Sequence, residues 1–178
     1  MGRSFRRWLE SLRMEEIGPG WSAWGISLWA GGLGGLADGG AMALVAIGYG
    51  LLSGKGLWFP VNLIGATVVR GLQAAPPEAL ATFHPAALVA GLALHLILSV
   101  LLGVLYTLLL PTLPGSPRLW AVLVGPLLWL GATWVVLPTF NPIMAREVDW
   151  PSFALAHGVY GLTMGSVVAR ALRAPSPR

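Results

Sequence analysis

Four ionisable residues sit in or against the apolar stretches of this chain: Asp38, His84, His95 and His157. Ionisable groups inside hydrocarbon are costly enough that each is a functional candidate. His95 and His157 could hold haem b as axial ligands, because imidazole suits iron and two helices running the same way can present their rings to one plane. Asp38, His95, His157 and His84 could instead form a proton path, since histidine changes charge near neutral pH and a carboxylate is an apt neighbour. The structural alternative is that each histidine bonds a nearby backbone or side-chain group, with Asp38 and His95 pinning one helix to another. Catalysis has less to work with. Ser99 follows His95 by one turn, but a helical serine tends to bond the carbonyl before it. The sequence has no Gly-x-Ser-x-Gly, His-Glu-x-x-His or phosphate-cradling glycine loop. It has no cysteine, which removes disulfides, thiolate metal sites, iron-sulfur clusters and covalently attached haem. No metal site is expected.

Both histidines belong to ladders of small residues four apart. Gly91, His95, Ser99 and Gly103 share one helical face, and His157, Gly161, Gly165 and Ala169 repeat the design. Gly31, Gly35 and Gly39 form a third such surface, with Asp38 beside it. Small residues at this spacing let helices approach closely, so these glycines and Ser99 are expected to be packing positions. A macrocycle between two ladders would keep their helices apart. For the His95 face, helix contact and haem are therefore opposed outcomes, and helix contact is the expectation.

The elements that carry these ladders follow from composition. With 56% hydrophobic and 10% charged residues, the chain is far poorer in charge than a soluble domain, which carries about 25%. Charge-free runs cover residues 17–37, 79–117, 119–145 and 150–169, each near or above the roughly 20 residues that cross a bilayer as helix. The expectation is an all-α polytopic membrane protein, a single membrane domain over residues 1–178. Its four transmembrane helices, at 30–52, 86–110, 119–137 and 152–169, form one bundle, and amphipathic surface helices lie at 1–17 and 60–73. The basic residues sit at span ends rather than in a patch, so they set topology, and nucleic acid is not a partner. Ten arginines against one lysine, with abundant Gly, Ala and Pro, suggest a GC-rich bacterial genome.

Along the chain, Phe5, Trp8, Leu9 and Leu12 make an apolar stripe among Arg3, Arg6, Arg7 and Arg13, the pattern of an interfacial helix on an anionic leaflet. Trp21, Trp24 and Trp29 anchor the first span at the interface. Pro60 opens the amphipathic helix, with Val61, Ile64, Val68 and Leu72 on one face and Asn62, Arg70 and Gln73 off it. Pro85 starts the second span, Pro126 should kink the third, an outer loop runs over 138–150, and Pro151 opens the fourth. The second and fourth spans run in parallel, and at 1.5 Å per residue His95 and Asp38 lie at similar depth. Four spans put both termini on one side. That side carries Arg3, Arg6, Arg7, Arg13, Arg118, Arg170, Arg173 and Arg178 against Lys55, Arg70 and Arg146 on the other, so both termini are expected to be cytoplasmic.

From about residue 85 to 173 the chain resembles the YagU-like family of small bacterial inner-membrane proteins. The similarity rests on His95-Leu-Ile-Leu-Ser99, on Ala156-His157-Gly158-Val-Tyr160 and, more weakly, on Trp58-Phe59-Pro60. That resemblance implies a four-helix inner-membrane protein linked to acid tolerance, with no catalytic residues to carry over. The leading expectation is a non-catalytic accessory subunit of a larger membrane complex, respiratory or otherwise energy-transducing, in contact with the bilayer and with other membrane subunits. The alternative is a haem-b electron-transfer subunit through His95 and His157, and the third is a proton-linked conduit through Asp38, His95 and His157.

Overall fold

A computed structural model describes residues 23–173, which form helices and turns with no strand among them. The interfacial helix expected over 1–17, Trp21 of the aromatic anchor and the tail after 173 lie outside the described residues. In chain order the elements are α1 (Ala23–Leu52), α2 (Trp58–Gly65), a 3-10 turn (Arg70–Ala74), α3 (Pro77–Leu80), α4 (Pro85–Leu109), α5 (Pro117–Gly131), a π-helical turn (Ala132–Val136), α6 (Leu137–Phe140), α7 (Pro142–Glu147) and α8 (Trp150–Ala171). Four runs are long and apolar enough to cross a membrane: Trp24–Leu52, Pro85–Thr112, Pro117–Phe140 and Trp150–Ala171. The protein is an all-α, multi-pass membrane protein.

Helix starts are set by one device used four times. A side chain accepts from a backbone N–H three residues on, and a proline at the first or second helical position removes a donor that would otherwise lack a partner. His84 Nδ1 accepts from Ala87 N–H at 3.2 Å, Ser116 Oγ from Leu119 N–H at 3.3 Å, Asn141 Oδ1 from Met144 N–H at 3.2 Å and Asp149 Oδ2 from Ser152 N–H at 2.9 Å. Free N–H groups at a membrane helix end are expensive, so the caps of α4, α5 and α8 fix where their spans begin.

The helices pack in the order α4, α1, α8, α5, with α1 and α8 inside. Small residues bring the backbones together. A methyl group at Gly31 would lie 2.5 Å from Thr107 Oγ1 and 2.6 Å from Val104 Cα, and one at Gly39 would lie 2.6 Å from Ser99 Oγ. Gly35 meets the Ser99 carbonyl and Gly103 meets the Gly31 carbonyl. At the α5–α8 contact Gly161 meets the Ala121 carbonyl and Gly125 meets that of His157. Near the end of the bundle that holds both described termini, Tyr106 of α4 donates to the Pro117 carbonyl and clusters with Ala121, Tyr160, Met164 and Val168.

The opposite end is closed by a cap that departs from the expected single helix over 60–73. α2 stops at Gly65, the chain turns through the β-branched Thr67, Val68 and Val69, and the 3-10 turn folds back. Gln73 Nε2 reaches the Ala66 carbonyl at 2.7 Å, supplying a donor to the frayed helix end. The buried face also differs, because α2 turns Phe59, Asn62 and Leu63 inward. Asn62 is tolerated there because its amide donates to the carbonyls of Leu80 at 2.8 Å and Thr82 at 2.7 Å. α2 packs along α4, with Gly65 against Ala87 and Gly91 against the Val61 carbonyl.

The third span runs to Phe140 rather than ending at 137, and the stretch expected as loop contains α7. Pro138 explains the π-helical turn before it. Its ring lacks an N–H and crowds the carbonyl one α-turn back, and the wider turn relieves both problems without ending the span.

Candidate functional site

The residues that could do chemistry do not converge on one point. His95 is held on α4 with its Nε2 2.9 Å from the Gly39 carbonyl of α1. A carbonyl only accepts, so Nε2 carries the proton and donates across the helix contact. His157, 8% exposed, is turned along its own helix, with Nδ1 2.8 Å from the Phe153 carbonyl and its ring edge-on to the Phe153 ring at 4.4 Å. His84 is the cap of α4. Haem ligation through the Nε2 of His95 would require breaking its bond to Gly39 and parting α1 from α4 along the Gly31, Gly35 and Gly39 face.

Asp38 is next to Gly39 but turns elsewhere, toward Tyr160 of α8, whose hydroxyl it faces. It is fully buried, and neither its carboxyl oxygens nor the Tyr160 hydroxyl closes a bond of standard hydrogen-bond geometry. The structure therefore brings His95 beside the backbone of the Asp38 segment and gives the Asp38 side chain to α8. Ser99 packs against Gly39, and Thr107 Oγ1 donates to the Ser27 carbonyl at 2.8 Å. Within the spans these polar side chains act as glue between helices.

The most developed polar cluster lies in the cap. Asn141, 1% exposed, donates through Nδ2 to the Leu63 carbonyl at 2.7 Å and to Thr67 Oγ1 at 2.8 Å, and its Oδ1 accepts from Gln73 Nε2 at 3.0 Å. Gln73 Oε1 in turn accepts from Ile143 N–H at 3.1 Å. Arg70 donates to the Phe140 carbonyl at 3.0 Å, and Lys55 Nζ lies over the Phe59 ring at 4.6 Å. At the start of α8 the Ser152 N–H holds the Asp149 carboxyl below its ordinary range. Sequence reasoning placed Asn62 and Gln73 off the apolar face of the helix over 60–73, and it gave Asn141 and Tyr160 no part in a site. For Asn141 the signal was present in Asn-Pro, a helix-opening pair.

Beneath the cap is a cavity of about 290 Å³. Its walls come from α1, α2, α4 and the start of α8, including Ala46, Tyr49, Gly91, His95, Phe153 and Ala156. The lining is almost wholly apolar, so water would not fill it stably. His95 is thus the one predicted candidate that both joins two helices and faces open space. Comparison of the chain with protein-family models, with characterised proteins and with solved structures finds no match.

Proposed function

We propose that this protein is a non-catalytic, integral subunit of a larger membrane assembly, lying in a bacterial inner membrane with both termini cytoplasmic. What supports this most is where the polar side chains inside the spans are committed. His95, His157 and Thr107 each bond a backbone carbonyl of a neighbouring helix or of their own, rather than meeting around a shared point where a substrate could react. The excess of arginine on the terminal side supports the orientation.

The docking face is that of the third span. α5 packs chiefly on α8, and the span leaves Leu123 and Leu127 of α5 and Trp134 and Val135 of the π-helical turn exposed on the outer flank of the bundle, Trp134 by 73%. The partner is another apolar span. Purification from native membranes in a mild detergent, with a photo-crosslinker placed at Leu127 and then at Trp134, tests this. A crosslinked polypeptide of fixed mass is expected. Crosslinks to lipid alone, together with a chain that purifies as an isolated bundle, would refute it.

A further inference from the structure

The cavity beneath the cap is a space that the packing of the helices leaves unused. Its place is within the membrane-spanning helices, and Leu57 and Leu92 at its edge remain 38% and 53% exposed, so it is continuous with the lipid-facing surface. A ligand enters sideways from hydrocarbon, not from water. Its volume of about 290 Å³ lies just below the roughly 300–1,000 Å³ range of ligand pockets and suits one chain rather than two.

His95 decides the other end of the ligand. The bond to Gly39 uses Nε2–H and fixes the ring, leaving Nδ1 as an acceptor with no partner among the described residues. An unmet acceptor beside apolar walls favours a ligand that brings a donor. Among the described residues lining the cavity the only charge is that of Asp149, at the rim, and no lysine or arginine lines it. A phosphate or carboxylate head would meet a like charge and no cation.

We propose that this cavity binds one molecule of a single-chain membrane alcohol, its chain against Ala46, Phe153 and Ala156 and its hydroxyl donating to His95 Nδ1. The site is independent of the docking face on α5. The test uses the full chain in phosphatidylcholine nanodiscs and hexadecan-1-ol bearing a diazirine at mid-chain. Irradiation is expected to label residues 43–49 and 152–156. Unlabelled hexadecan-1-ol should compete, while hexadecyl methyl ether, which has no donor, and palmitate, which is anionic, should compete at least tenfold more weakly. Ala46→Phe and Ala156→Phe fill the space from opposite walls, and each is expected to lose the label while keeping its unfolding transition. Label spread evenly over the lipid-facing helices, or retained in both folded variants, overturns the site. Ether competing as well as alcohol overturns the assignment to His95, and that comparison needs no variant to fold.

Discussion

Gly31 and Gly32 are neighbours in sequence, yet alanine should act on them in opposite directions. At Gly31 the added methyl would meet Thr107 Oγ1, Val104 Cα and the Gly103 carbonyl at 2.5, 2.6 and 2.7 Å. That is roughly 0.8 Å inside ordinary contact, and because two of the three are backbone atoms the helices themselves must part. Overpacking of this kind costs about 1–3 kcal/mol, and the Thr107 to Ser27 bond stretched with it is worth about 0.6 kcal/mol in a membrane. At Gly32 nothing lies within 4 Å of the methyl. Helix propensity favours alanine at both sites by up to about 1 kcal/mol, so it cancels when the variants are compared. Gly31→Ala is therefore expected to be less stable than Gly32→Ala by about 2–3 kcal/mol, and less stable than the parent, with Gly32→Ala equal to or slightly above it. Reversible unfolding by sodium dodecyl sulfate in bicelles, followed by tryptophan fluorescence, measures both. Equal stability of the two alanine variants would refute the close approach of α1 and α4.

Asn141→Ala removes four hydrogen bonds of the cap at once, and with their partners left buried it should cost about 3 kcal/mol and speed amide exchange in α2 and α7 beyond that in α8. Asp38→Asn keeps the shape of a fully buried acid that forms no ion pair, so thermal stability should hold or rise by up to about 1 kcal/mol. Proton conductance of proteoliposomes should be unchanged by that substitution, and a fall would place Asp38 on a proton path. Asp149 behaves as a depressed carboxylate whose cap is complete above its ordinary value of 3.8 and is lost as pH falls through the lower folded value. Acid unfolding should accordingly begin below pH 3.8, and Asp149→Asn should flatten that limb of the stability curve.

The local part of the fold was legible and the choice of partners was not. Proline after a capping side chain, and glycine every fourth residue, are short-range patterns, and they announce helix starts and close-packing faces before any contact is known. Nothing local says which ladder meets which. Gly31, Gly35 and Gly39 would fit either histidine ladder, and the structure gives them the His95 face while the Gly161 face goes to α5. The cap was illegible for the same reason, since Asn62 reads as a residue off the apolar face and Asn141 as part of a loop until the carbonyls of Leu80 and Leu63, far away in sequence, are placed beside them. The π-helical turn needed one step more, namely that Pro138 lies inside a span and not at its end. Of the four ionisable candidates, His95 alone faces the cavity, a fact that periodicity could not supply because the cavity is made by the cap.

The pairing of Asp38 with Tyr160 has a bearing on biogenesis. α1 precedes α8 in the chain, so until α8 is made the acid on α1 lacks the Tyr160 side chain that it faces. When α8 packs against α1 it seats Val168 beside Gly34 and Tyr160 beside Asp38. A chain that stalls or is cut before α8 would display an acid in hydrocarbon, a mark of incompleteness that surveillance of the bilayer could read.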